Sequence, residues 1–267
     1  MARFRQLRRR LFPGCPTGTD VKRMRARLLR RIGLARSREP RIMVDQPDLH
    51  YGSVLSLAIA EQVIQTGHLT FLQVGAFDGA QNDEILHIVN RFPVKGILIE
   101  PQPNVYKRLQ DLHGDNENLI LVNAAIDKVS GSRPFYMLDG GDLECASFDR
   151  NHLIKHGVEP GQIYSENVQC LTLHEVLENA NIDSVDLLQI DAEGYDYEII
   201  KTIDFTRLTP KILRFEYRHL SNDDVDECLE MLSQYGYRFI VEELDLIAIR
   251  KVSATTQSES SVNRRAA

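Results

Sequence analysis

From residue 54 to residue 250 the apolar positions follow two alternating patterns. Leu69–Val74, Gly96–Ile99, Leu119–Ile126, Asp186–Ile190 and Ile212–Tyr217 are short, nearly continuous apolar runs of strand length. Between them lie segments with apolar residues three and four apart, the spacing of a helix with one buried face. These are Asn82–Phe92 (Ile85, Ile88, Val89 and Phe92 on one side), Asn104–Leu112, Thr172–Asn179, Tyr195–Ile203 and Asp223–Tyr235. Thr172 and Glu175 have the spacing of a capping box. Val54–Gln65 reads as a lead-in helix. Residues 127–168 are less regular, with a short hairpin expected around Arg133–Leu138.

The last two runs, Tyr237–Val241 and Leu246–Ile249, are separated only by Glu242–Asp245, which allows nothing but an antiparallel hairpin. Apolar strands alternating with amphipathic helices require a sheet covered on both faces. The expected fold is therefore α/β: a Rossmann-like, doubly wound, mostly parallel seven-stranded sheet with a C-terminal antiparallel hairpin. Residues 69–252 form its main domain, preceded by a lead-in helical segment at 42–68 and a basic arm at 1–41. A Ser/Thr-rich tail at 253–267 is expected to be disordered.

Charge separates the arm from the domain. Residues 1–41 hold 14 of the chain's 32 basic residues and 2 of its 38 acidic ones, leaving 18 basic and 36 acidic residues to the remainder. So acidic a body is a poor non-specific binder of nucleic acid, which depends on Lys and Arg at phosphates. The arm carries Arg8-Arg9-Arg10 and the cluster Arg23 to Arg31. Its Val21–Leu34 stretch fits a basic helix that could lie on an anionic membrane surface, or else a solvated tail. No apolar segment follows the arginine pair, which excludes an export signal; an organellar transit peptide is a further reading. No run approaches the roughly 18 apolar residues of a membrane span. Cys15, Cys145, Cys170 and Cys228 are scattered without a CxxC pair, a usage suited to a reducing cytosol. The expected location is cytoplasmic, with a peripheral membrane option through the arm.

Ligands of open α/β sheets bind beyond the carboxyl ends of the strands, where strand order reverses. The first strand ends in Gly75-Ala76-Phe77-Asp78-Gly79, whose glycines allow a sharp turn and close backbone approach. That loop alone is unspecific. Its partner is Glu100, 25 residues after Gly75 at the end of the second strand and followed by Pro101, where a carboxylate can accept hydrogen bonds from both hydroxyls of a ribose. Nicotinamide cofactors use the same logic. The missing third glycine and the final hairpin favour S-adenosylmethionine.

The fourth and fifth parallel strands end in Asp191-Ala192-Glu193-Gly194 and in Glu216-Tyr217-Arg218-His219, with Gln189 and Arg214 inside them. Charges in central strands are costly unless paired or functional. One account of Arg214 is a buried ion pair that only holds the sheet. The other places Asp191, Glu193, Glu216 and His219 at the reacting end of the cofactor, where Asp191, Glu193 and His219 are candidate bases. Asp191, Glu193 and Glu216 could together hold Mg²⁺, but they lack a recognised ligand spacing, and no metal-ligand set is assigned.

The Val74–Gly79 loop, the strand ending Glu100-Pro101, Asn123-Ala124-Ala125-Ile126, Phe215-Glu216 and above all Asp186–Gly194 resemble the FkbM methyltransferases, whose strand-four signature is (I/L)-D-(V/A)-E-G. The resemblance covers about residues 69–250 and implies a class I methyltransferase fold. It implies O-methylation of a hydroxyl on a sugar, glycan or natural product, with S-adenosylmethionine as donor. Gly75, Ala76, Asp78, Gly79, Glu100, Pro101 and Ala124 would hold the cofactor, and Asp191 and Glu193 would line the active site. Phe77 departs from the family, which more often has a small or polar residue there. Two other readings share the sheet: an NAD(P)-dependent oxidoreductase, and a non-catalytic adaptor docked on a membrane by its arm.

Overall fold

The computed structural model describes residues 53–80, 84–90, 92–138 and 146–251. The expected arm, the start of the lead-in segment and the Ser/Thr-rich tail lie outside them. In chain order the elements are α1 (Val54–Thr66), β1 (Leu69–Val74), α2 (Glu84–Val89), β2 (Val94–Ile99), α3 (Pro103–His113), β3 (Leu119–Val122), β4 (Ala125–Ile126) and β5 (Gly131–Leu138). Then follow α4 (Arg150–Lys155), β6 (Ile163–Leu171), α5 (Leu173–Ala180), β7 (Leu187–Ile190), α6 (Asp196–Ile200), β8 (Ile212–Glu216), α7 (Asn222–Gln234), β9 (Tyr237–Glu242) and β10 (Asp245–Arg250).

Seven strands make the main sheet in the order β3-β2-β1-β7-β8-β10-β9. The first five are parallel, and β10 pairs antiparallel with both β8 and β9, so the doubly wound sheet and its terminal hairpin are as expected. Burial explains the apolar runs: β1 buries five of its six residues and β7 all four. Leu55 and Ile59 of α1, Ile85 and Ile88 of α2 and Leu109 of α3 pack on one face. Val176 and Leu177 of α5, Ile199 and Ile200 of α6 and Leu229 and Leu232 of α7 pack on the other.

The helices end where their caps dictate. Ser53 opens α1 by accepting the Ser56 amide, and Gly67 closes it in the left-handed conformation. The Thr172–Glu175 capping box forms at the start of α5, with reciprocal bonds of 3.1 and 3.0 Å.

The region between β3 and α5 differs from expectation. The single strand expected over Leu119–Ile126 is broken at Asn123, whose side-chain amide donates to the backbone carbonyls of Glu100 (2.8 Å) and Pro101 (3.3 Å). The chain thereby leaves the main sheet, and β4 joins a second sheet of order β4-β6-β5. The hairpin expected around Arg133–Leu138 is instead β5 paired along its length with the distant β6, from Gly131 opposite Cys170 to Leu138 opposite Ile163. The sequence reading missed β6 because Tyr164–Asn167 face solvent, and only Val168 and Cys170 join Phe135 and Met137 in a small core.

Asp186, just before β7, locks the lead-in helix to the sheet. Its carboxylate accepts the Thr70 amide of β1 (2.8 Å) and the Gln62 side-chain amide of α1 (2.7 Å). Asp186→Ala strips both donors of a charged acceptor and is expected to cost about 2 kcal/mol. Urea denaturation would show this as a lower midpoint with an unchanged slope.

Candidate active site

The main sheet reverses its winding between β1 and β7, and a cleft of about 250 Å³ opens at their carboxyl ends. Closeness of the two strands sets its shape. The Asp191 amide donates to the Val74 carbonyl (3.0 Å), and the Asp191 carbonyl lies so near the Gly75 Cα that a Cβ there would collide with it. Gly75 is also left-handed (φ 78°), so both sterics and backbone demand glycine.

From this point the loop climbs away from the sheet. The Gly75 and Ala76 amides both donate to the Ile99 carbonyl, at 3.0 and 2.9 Å. Phe77 is left-handed (φ 48°), an uncommon conformation for a residue with a side chain. Its amide donates to Glu100 Oε2 (3.0 Å), while the Gln102 amide donates to Glu100 Oε1 (2.8 Å). Glu100 is only 3% exposed. Burial pushes its carboxyl up to about 7, against the lowering effect of the two amide bonds.

Gly75, Ala76, Glu100, Pro101 and Ala124 all line the cleft. Asp78 and Gly79, also expected at the cofactor, are not among its lining residues. Asp78 accepts the Ala80 amide (3.0 Å) and lies 3.7 Å from Arg108. Gly79 backs onto α3, where a Cβ would meet Leu109 at 2.6 Å and His113 at 2.9 Å. Its smallness serves helix packing.

Asp191 and Glu193 line the opposite side of the cleft. Glu193 is left-handed (φ 50°), as is the following Gly194 (φ 89°), and the Glu193 carbonyl accepts the Ser147 hydroxyl (3.2 Å). Its carboxylate lies 3.0 Å from His152 Nε2 and 3.6 Å from His219 Nε2. His219 Nε2 is in turn 3.3 Å from Glu216, placing both residues behind Glu193. Burial lowers His219 to about 4, and burial together with Asp191 and Glu193 raises Glu216 to about 8. Oxygens of Asp191, Glu193 and Glu216, the three carboxylates considered for Mg²⁺, come within 4.8 Å of one another.

Several residues of the site escaped the sequence reading. Asp196 is fully buried and accepts the Ala192 amide (3.3 Å) and the Glu216 amide (3.2 Å), pinning the ends of β7 and β8 together. Burial, with Asp191 and Glu216 close by, holds its carboxyl well above the usual range. Its place in the first turn of α6 carries no sequence signal that separates it from an ordinary helix-start acid. His152 and His156 belong to the irregular stretch; their i, i+4 spacing is a signal for a shared helical face.

Asp127, Arg133 and Tyr195 bind the second sheet to the cleft. Asp127 accepts Arg133 (2.6 Å) and the Tyr195 hydroxyl (2.8 Å), and the Arg133 guanidinium stacks 4.0 Å from the Phe148 ring centroid. Burial alone would raise the Asp127 carboxyl, but these bonds bring it below its ordinary value. Gln73, Gln189 and Arg214 occupy matching positions on β1, β7 and β8, and all three line the cleft. Arg214 pairs with Asp245 of β10 at 2.7 Å, the structural ion pair weighed from sequence. Gln73 is 3% exposed, and its side-chain oxygen has no hydrogen-bond partner among the described residues.

The family model described as the methyltransferase FkbM domain matches residues 73–239. The chain belongs to the FkbM methyltransferase family. That membership implies S-adenosylmethionine as the cofactor. Among solved structures the chain is similar to methyltransferase FkbM from Methylobacillus flagellatus KT, with 10% identity and a TM-score of 0.47, over 68% of this chain and 43% of that protein's length. It is also similar to a precorrin-6y C5,15-methyltransferase from Geobacter metallireducens GS-15, with 13% identity and a TM-score of 0.42, over 79% and 94% of the two chains. No curated protein matches the sequence. Among the described residues no helix is long and apolar enough to cross a membrane.

The cleft fits the family's cofactor. A buried carboxylate, a glycine turn that a Cβ would block and an unpartnered buried amide oxygen all border it. Gly75→Ala is expected to destabilise the fold by about 3 kcal/mol or more, because backbone strain adds to a backbone collision. Thermal denaturation would register the loss.

Glu100 gives a pH signature. Its folded pKa lies above the ordinary carboxyl value, so folding takes up a proton, and its stabilising contribution is lost as pH rises through about 7. The stability of the wild type relative to Glu100→Gln is expected to fall as pH rises from about 4.5 to about 7 and to level off above that, by at most about 1.4 kcal/mol per pH unit. Paired urea titrations would measure this.

Proposed function

We propose that the chain methylates a hydroxyl group of a sugar, glycan or natural product. The observation that carries this reading is the division of the cleft. Glu100 borders it at the end of β2, and Asp191 and Glu193 border it after β7, on the other side of β1 and its glycine turn. The Glu100 side matches the nucleoside part of S-adenosylmethionine: Glu100 has lone pairs left for ribose hydroxyls after accepting two amides. When bound, the cofactor supplies a methyl group on a positively charged sulfur.

On the other side, the solvent-exposed Asp191 is placed to accept the proton of an acceptor hydroxyl as its oxygen attacks. Glu193, buttressed by His152 and His219, can fix a neighbouring hydroxyl and so hold the oxygen in line. Phe135, Phe148 and Tyr195 add aromatic surface that suits the carbon face of a ring-shaped acceptor.

Calorimetry with S-adenosylhomocysteine and methyl-transfer assays on a panel of hydroxylated acceptors test the proposal together. Glu100→Ala is expected to weaken S-adenosylhomocysteine about 10- to 100-fold, the worth of hydrogen bonds to a charged group. Asp191→Asn is expected to keep that affinity and lower kcat about 100-fold. A wild-type chain that binds no S-adenosylhomocysteine, or that methylates nitrogen or carbon in place of oxygen, would overturn the reading.

A further inference from the structure

Next to the cleft, three imidazoles crowd around one carboxylate. His152 lies on α4 and His156 at its C-cap, while Glu193 and His219 follow β7 and β8. The ring centroids of His152 and His156 are 4.4 Å apart, and each lies 4.7 Å from that of His219. One ligand atom from each histidine and one from Glu193 all fall within 4.8 Å of one another. Four donors bound tetrahedrally 2.0–2.2 Å from a single ion stand about 3.4 Å apart, so side-chain rotations that draw this cluster inward would complete a coordination shell.

We propose that His152, His156, His219 and Glu193 bind a divalent transition metal of the Zn²⁺ class. The donor chemistry selects the ion. Three imidazole nitrogens and one carboxylate oxygen suit zinc or a neighbouring first-row metal, whereas Mg²⁺ prefers an all-oxygen set. The setting favours a dication as well. Oxygens of Asp191 and Glu216 lie within 4.8 Å of that of Glu193, with Arg218 as an opposing cation nearby. Access is direct, because His156 is exposed while His152 is buried.

Such an ion would join α4, from the segment between β5 and β6, to the carboxyl ends of β7 and β8. It would fix the Glu193 side of the cleft. The inference does not depend on which acceptor is methylated, or on whether transfer occurs at all.

The test uses the untagged full chain, stripped with a chelator, dialysed and titrated with Zn²⁺, with Co²⁺ as a spectroscopic probe. One Zn²⁺ per chain is expected, with visible Co²⁺ absorption that Zn²⁺ abolishes. His156→Ala, at an exposed position, should weaken Zn²⁺ by about 100-fold or more, above the range for losing an outer-shell partner of a metal ligand. His152→Gln, which keeps bulk and polarity at the buried position, should do the same. Glu216→Gln should retain the metal. Urea midpoints measured in chelator show whether each variant folds. The proposal is overturned if the wild type takes up no Zn²⁺, if a folded His156→Ala binds it as the wild type does, or if Glu216→Gln loses it while both histidine variants keep it. That last result would move the ion to the carboxylates.

Discussion

Everything in the cleft depends on how closely the carboxyl ends of β1 and β7 approach. The Asp191 carbonyl occupies the space a Gly75 Cβ would need, and the adjoining Asp191 amide is tied to Val74. With the strands clamped there, the chain after Gly75 must rise steeply. That throws Phe77 into the left-handed region and aims its amide at Glu100. Glu193 and Gly194 turn left-handed on the other side for a related reason, since the chain after β7 must leave the same crowded point. Strained residues thus stand on both banks, where the surrounding ladder can hold them.

Clamping also accounts for the concentration of acidic groups. Asp191, Glu193 and Glu216 lie at or just past two strand ends that the parallel ladder places side by side, and Asp196 opens the helix that follows β7. Asp196 answers a local backbone need, capping the Ala192 and Glu216 amides that would otherwise be buried without partners. Its cost is electrostatic, and the raised affinity of Asp196 and Glu216 for protons measures that cost.

The main sheet was legible in the sequence because burial on both faces leaves its strands almost no freedom of composition. Val74-Gly75 and Ile99-Glu100 mark their own ends through an abrupt change from apolar to turn or charged residues. The second sheet was not legible: β6 buries little, and its partner β5 lies beyond α4, so neither alternation nor a turn signal announces the pairing. Gly79 reads as a cofactor glycine in the sequence; that its Cα packs on Leu109 and His113 is a contact the sequence does not reveal. His152 and His156 could be paired with each other by spacing. Pairing them with Glu193 and His219 required the tertiary fold.

The two sides of the cleft are therefore built by different means. Gly75, Ala76, Glu100 and Pro101 come from neighbouring parallel strands of one regular sheet, and hydrogen bonds between their backbones leave little room for change. The rest of the lining includes Phe135 of β5, Phe148 before α4, Tyr195 before α6 and Glu193 after β7. Side chains hold those segments together, through Asp127, Arg133 and Tyr195 and through the histidines at Glu193. A side-chain network can be rebuilt without unfolding a sheet, whereas a ladder cannot. The fold thus builds one side of the cleft from a regular ladder and the other largely from loops tied by side chains.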